Sequence, residues 1–223
     1  MRASSGTLIV FEGIEGAGKS TQLVRLGARL AAAGIAYETF REPGGTPLGD
    51  DIRRLLLDPK SEIAPRAEAL LFMASRAELV ERKLKPAIAA GRVILLDRFT
   101  LSTYAYQVFG RGLDEREVRA ANVTATAGLV PDLTLLLRVL PETGAERARQ
   151  RSAPDRMESQ GTAFHARVAD AFARFEDRTW QTAHPECGPI LPIEADGSAD
   201  EVESRVLSAL TEALPALRSA LAA

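Results

Sequence analysis

The sequence is poor in the residues that build metal cages, catalytic triads and covalent staples. It holds one cysteine, Cys187, and two histidines, His165 and His184, among 223 residues. A lone cysteine excludes an internal disulfide and a cysteine-rich zinc site, and two histidines speak against a histidine-based metal cage or triad. Neither sign of charge is in excess. Against 30 Asp and Glu stand 28 Lys and Arg, a net charge of −2. That balance speaks against a protein that lives on nucleic acid or on an acidic membrane surface. No apolar run approaches the roughly 20 residues that span a bilayer. Met1 to Thr7 is short and polar, unlike a signal peptide. A reduced, cytoplasmic location is the expectation. What is present, 46% hydrophobic and 26% charged residues, is ordinary for a globular chain long enough to bury a large core. The length favours a single domain over 1–223.

Leu8 to Phe11 is a continuous apolar run, the pattern of a strand covered on both faces as in a parallel sheet. Further strands are expected at Ala36 to Phe40, Val93 to Leu96, Leu133 to Val139 and, interrupted by Pro192, Ile190 to Ile193. Helical patterns lie between them, at 47–57, 65–90, 100–109, 114–128, 142–151, 161–183 and 199–218. Leu23, Leu26 and Leu30 mark one more, closed by Gly34. Leu214 to Ala223 reads as the frayed end of the last helix. Alternating strands and helices give a three-layer α/β fold.

Gly13-Ile14-Glu15-Gly16-Ala17-Gly18-Lys19-Ser20 fits G-x-x-x-x-G-K-[ST] at every fixed position, with a strand before it and a helix after. Glycines let the backbone N–H groups turn toward a polyphosphate, and the helix adds its positive end. Lys19 would reach the β- and γ-phosphates, Ser20 would ligate Mg²⁺, and Thr21 would support the α-phosphate. Glu15 repels phosphates, so its functional reading is pairing with a cation elsewhere in the site.

Such a loop serves switches, motors and kinases alike. The GTPase signature N-K-x-D is absent, and no aspartate is followed by glycine three residues on. Asp97-Arg98 ends a buried strand, where open α/β sheets place ligands. Asp97 suits Mg²⁺ or its waters, and Arg98 suits a bridge between two phosphates. Arg41 to Thr46 (REPGGT) suits one wall of a substrate site, with Arg53 further along. Phe72, Arg76 and Leu79 share a helix face. A ring and a guanidinium there suit a nucleobase, although the same pair also occurs as a core ring beside a snorkelling arginine. Thr103 and Gln107 form a second i, i+4 pair, with Tyr106 beside them. Arg147, Arg149, Arg151 and Arg156 fall within ten positions, with Ser152-Ala153-Pro154 as a loop. They suit a mobile lid at about 147–160 that neutralises charge on a transferring phosphoryl group.

Taken together, GIEGAGKST at 13–21, REPGGT at 41–46, LFMASRAELV at 71–80, LLDRFTLSTYAYQ at 95–107, GRG at 110–112, PDLTLLL at 131–137 and ERARQRSAPDRME at 146–158 resemble the thymidylate kinases. The resemblance implies a P-loop kinase core with a five-stranded parallel sheet, a small mobile lid and a homodimer. It implies γ-phosphate transfer from ATP to dTMP with Mg²⁺, yielding dTDP. By matching position, Arg53 and Arg98 hold the dTMP phosphate and Phe72 stacks on thymine. Arg76 donates to its O4, Thr103 and Gln107 lie at the base edge, and Tyr106 lies near the sugar. Glu12, Glu42 and Pro43 belong around the acceptor and metal. With Glu15 and Gly16 in the loop rather than an arginine, the chain is similar to the bacterial lid-arginine type, and Arg151 and Arg156 are the expected catalytic lid residues. Arg138 stands where relatives often carry aspartate, and its effect on the charge beside the P-loop is open.

Overall fold

Four apolar residues in a row demand a strand with both faces covered, and Leu8 to Phe11 has them. In the computed structural model, which describes residues 6–150 and 154–221, they form β1 (Thr7–Glu12), the centre of a five-stranded sheet. Its other strands are β2 (Tyr37–Arg41), β3 (Val93–Asp97), β4 (Leu133–Arg138) and β5 (Ile190–Glu194). All pairings are parallel, in the order β2-β3-β1-β4-β5. Pro192 sits inside β5 without breaking it. β5 is an edge strand, so one side of it has no ladder to serve.

Alternation along the strands sorts the core onto two faces. Ile9, Phe11, Val93, Leu95, Leu133, Leu135 and Leu137 point to one side. There they meet α1 (Lys19–Ala32) and the last two helices. Leu8, Val10, Ile94 and Leu96 point to the other. That side is covered by α3 (Pro65–Leu79), which follows α2 (Pro47–Leu57) and runs on through a π-helical turn, Val80–Leu84, into α4 (Lys85–Ala89). The expected helix at 65–90 is therefore continuous but not uniformly α.

A second helix has the same character: α5 (Thr100–Thr103) passes into a π-helical stretch, Tyr104–Gly110. α6 (Glu115–Thr126) and α7 (Pro141–Arg149) follow. The expected helix at 161–183 is two, α8 (Thr162–Arg174) and α9 (Arg178–Ala183). Asp177 accepts the Trp180 N–H at 2.9 Å and starts a new helix there. α10 (Ala199–Ala213) opens with a capping box between Ser198 and Glu201.

The tail corrects the expectation of fraying. α11 (Pro215–Leu221) buries Leu217 and Leu221 against Val206 and Leu210. Among the described residues no helix is long and apolar enough to cross a membrane.

Candidate functional site

The carboxyl ends of β1, β2 and β3 open into one cavity of about 880 Å³. The loop after β1 is drawn tight by its glycines. Gly16 has φ +74°, and a Cβ there would stand 2.0 Å from the Gly144 carbonyl oxygen of α7. Only glycine tolerates both the backbone angle and that approach. Gly13, Ile14 and Ala17 shape the loop from behind, whereas Glu15, Gly16, Gly18, Lys19, Ser20 and Thr21 line the cavity.

The Lys19 ammonium folds back onto the loop, donating to the Gly13 carbonyl at 3.1 Å and the Ile14 carbonyl at 2.8 Å. Burial lowers its pKa to about 8, and repulsion from Arg98 adds to this against the pull of Glu15, Asp97 and Glu12. An anion arriving in the loop would restore the lysine's preference for its charged form. Ser20 donates to Asp97 Oδ2 at 2.7 Å. This hydroxyl and carboxylate come from residues 77 positions apart. Together they present the hard oxygen donors that suit Mg²⁺.

Arg98 lines the same cavity. Its φ is +71°, uncommon for a residue with a side chain. Its N–H is held by the Phe11 carbonyl at 3.0 Å. The guanidinium donates to Gly13 O at 3.2 Å, to Ser102 Oγ at 3.0 Å and to Glu15 Oε2 at 2.8 Å. Glu15 thus finds the cation its position asked for. Burial works against the Arg98 charge, but Tyr106, Glu15, Asp97 and Glu12 outweigh it and raise the pKa above that of an ordinary guanidinium. Tyr106 lies beneath, its ring centre 5.4 Å from the guanidinium carbon. Arg53, on α2, points in from the same side and donates to the Pro43 carbonyl at 3.0 Å. Burial, with Arg41 nearby, lowers its pKa.

The far end of the cavity is lined by Glu42, Pro43, Phe72, Arg76, Thr103, Tyr106 and Gln107. The peptide bond between Glu42 and Pro43 is cis. Arg76 is buried, and all five of its N–H donors are committed. Nε and Nη2 bind Glu42, with Nη2 to Oε2 at 2.5 Å, and Nη2 also reaches Phe99 O at 2.9 Å. Nη1 donates to Thr103 Oγ1 at 2.9 Å and to Asn122 Oδ1. Burial raises the Glu42 pKa, although Arg76 opposes the shift. A base oxygen could reach Arg76 only by sharing a donor. Thr103, which accepts from Arg76, has its own O–H available to donate.

Two expectations need revision, and the open question at Arg138 has an answer. Glu12 was placed beside metal and acceptor but does not line the cavity. Its Oε1 accepts the N–H groups of Phe99 and Ser102 at 2.8 and 3.0 Å, and its Oε2 accepts the Ser102 hydroxyl at 2.6 Å. It fixes the turn that leads from Arg98 into α5. Arg156 was expected over the phosphates. It is buried outside the large cavity, donating to Leu56 O at 2.6 Å and Glu68 Oε2 at 2.7 Å. Its backbone N–H binds Leu57 O at 3.1 Å, so it fastens its own segment to α2 and α3. Arg138 does not charge the P-loop, because Glu176 and Glu194 each pair with it at 2.6 Å. Of the other lid arginines, Arg147 lines the cavity and donates to Ala195 O at 3.2 Å. Arg149 is exposed beside Glu146 at 2.7 Å. Arg151 lies outside the described residues.

Sequence reading passed over Ser102, Asn122 and Glu68. Glu68 had a signal, since Glu68, Phe72 and Arg76 stand at i, i+4 and i+8 on one face of α3. Among the described residues no group of three or more His, Cys, Asp or Glu could cage a metal. Magnesium needs no such cage, being bound through one or two carboxylates and the substrate's own phosphates.

Comparison with known proteins bears on this arrangement. Residues 11–186 match the family described as thymidylate kinase. A thymidylate kinase of Deinococcus radiodurans is 46% identical over 209 residues, covering 94% of this chain and 98% of the relative. One from Gloeobacter violaceus is 45% identical over 204 residues, 91% of this chain and 93% of the relative. One from Halothermothrix orenii is 42% identical over 205 residues, 90% and 94% respectively.

Proposed function

The chain belongs to the thymidylate kinase family, and from that premise we propose how its site works. The reaction is transfer of the γ-phosphoryl group of ATP to the phosphate of dTMP, giving dTDP and ADP. A bond forms from a dTMP phosphate oxygen to the γ-phosphorus as the bond to the β–γ bridging oxygen breaks. A phosphate monoester has its second pKa near about 6, so the acceptor is largely a dianion at neutral pH and needs no general base. The obstacle is repulsion between two anions, which fixed cations remove by positioning and neutralisation.

In this reading the loop from Gly13 to Thr21 cradles the donor phosphates and Lys19 leaves its own loop carbonyls for them. Ser20 and Asp97 would hold Mg²⁺, which supplies charge neutralisation on the donor. Arg98 stands between donor and acceptor, and Arg53 holds the acceptor phosphate. Phe72 stacks on the base. Arg76, held by Glu42, shares a donor with O4, and Thr103 lies at the same base edge. Gln107 meets N3, and Tyr106 lies under the sugar. Arg147 and Arg151 are the lid cations, Arg156 being the lid's anchor. The chain works as one domain over 1–223 with a lid at about 147–160. A cytoplasmic setting agrees with the buried free thiol of Cys187.

A homodimer is part of the same reading. Leu48 and Leu55 on α2, Leu70 on α3, Val123 on α6 and Val130 are large apolar residues left exposed. Their helices pack beside one another.

The observation that carries the proposal is one cavity lined at once by the glycine-rich loop, by Arg53 and Arg98, and by Phe72, Thr103 and Gln107. The test is a screen of nucleoside monophosphates with ATP and Mg²⁺. dTMP is expected to be turned over far faster than dCMP or dAMP. Equal turnover of all of them, or ATP hydrolysis indifferent to any acceptor, would sink the assignment.

A further inference from the structure

Glu68 is fully buried on α3, one helical turn before Phe72, and its carboxylate is a crossing point. Oε1 accepts from Gln107 Nε2 at 3.0 Å and from Arg111 Nε at 3.0 Å. Oε2 accepts from Arg111 Nη2 at 2.8 Å and from Arg156 Nη2 at 2.7 Å. These four donors fill the roughly four lone-pair positions of an ionised carboxylate. Burial works against ionisation, but the hydrogen bonds from Arg111, Arg156 and Gln107 prevail and hold the Glu68 pKa below that of an ordinary glutamate.

An ionised carboxylate only accepts. The part of the Gln107 amide that faces it must therefore be the NH₂ group, which settles which way the amide points. Nε2 is turned to Glu68. The carbonyl Oε1 has no partner among the described residues, and Gln107 lines the cavity. The base site then presents an acceptor from Gln107 beside a donor from Thr103, whose oxygen already accepts from Arg76. Thymine and uracil offer a donor at N3 beside an acceptor at O4. Cytosine offers an acceptor at N3 beside a donor amino group.

We propose that Glu68 is a positioning residue for base selection: it locks the Gln107 amide with its carbonyl toward the acceptor base. The inference rests on the base pocket assigned above. Arg156 shares the same carboxylate, so the lid is anchored to the group that sets the base edge. Were the carboxylate replaced by an amide, it could donate as well as accept. Gln107 could then turn over and present its NH₂ to cytosine.

The experiment measures kcat/KM for dTMP and dCMP in the wild type, Glu68→Gln, Gln107→Ala and the double variant, with thermal unfolding followed for each. The ratio of dTMP to dCMP is expected to fall about tenfold or more in Glu68→Gln, the scale expected when a polar match at a buried site is lost. On the Gln107→Ala background, Glu68→Gln is expected to change the ratio no further. A ratio that stays at the wild-type value, with both acceptors losing equally, overturns the role of Glu68 and leaves the base pocket standing. A wild type without preference for dTMP overturns the pocket itself. Should Glu68→Gln not fold, Glu68→Asp is read in the same way. It keeps the charge against Arg111 and Arg156 but withdraws the oxygen from Gln107.

Discussion

Lys19 carries the proposed phosphate-binding role at the scale of one residue. Its ammonium is buried against two backbone carbonyls and its pKa is drawn down from 10.5 to about 8. Between those values the unfolded chain holds a proton that the folded chain has lost. The contribution of Lys19 to stability therefore rises with pH across the interval from 8 to 10.5 and is least below it. A polyphosphate reverses the balance by favouring the charged lysine. ATP binding just above pH 8 is expected to take up a proton, which disappears near neutrality. Calorimetry in buffers of different ionisation enthalpy measures this, and proton release at the higher pH would contradict it. Lys19→Met is expected to abolish the uptake and to lower turnover by about two orders of magnitude or more. The loop itself was legible in the sequence because its residues are contiguous and its glycines answer local backbone needs, with positive φ at Gly13, Gly16 and Gly18. Glu12 and Arg156 were not, since the partners of Glu12 lie 87 and 90 positions away and those of Arg156 88 to 100. The same residue types served as capping and anchoring groups rather than as ligands.

At the scale of elements, α7, which leads into the proposed lid, is seated by a glycine. Gly144 lies on α7, and a Cβ there would stand 2.6 Å from the Glu15 carbonyl, 3.1 Å from Ile14 Cδ1 and 3.4 Å from Val139 Cγ1. Backbone meets backbone, so neither side can give way cheaply. Gly144→Ala is expected to push α7 off the phosphate loop. The cost in stability would be about 1–3 kcal/mol, the range for overpacking, and KM for ATP would rise more than KM for dTMP. Thermal unfolding and steady-state kinetics check both parts, and an unchanged KM for ATP would show that α7 does not set the donor side. Strands and most helices were readable from apolar runs and periodicity. The π-helical turns at Val80–Leu84 and Tyr104–Gly110 were not. They shift side chains without altering the apolar pattern. The break between α8 and α9 was signalled only by Asp177, a capping residue inside an otherwise helical stretch. The tail looked frayed because alanine is neutral in pattern. Two leucines, Leu217 and Leu221, are what hold α11 down.

At the scale of the molecule, near-zero net charge conceals a division of labour. Arg53, Arg76, Arg98 and Arg147 gather on one cavity, while Arg138 and Arg149 are spent on exposed ion pairs worth little individually. The same division applies to α3. Its inner face carries Glu68, Phe72 and Arg76, and its outer face leaves Leu70 63% exposed. Val123 on the adjoining α6 is 45% exposed. An isologous dimer would cover the same patch on both copies, with about 1.5–3 kcal/mol for each leucine buried. It would also press α3 against its own base pocket from outside. In such a dimer Leu70→Glu would put a carboxylate into the contact from each copy. The wild type is expected to run as a dimer by light scattering, and Leu70→Glu as a monomer whose KM for dTMP is raised. A monomeric wild type would remove the dimer. A monomeric variant with unchanged KM would leave the dimer but show that α3 holds its pocket unaided.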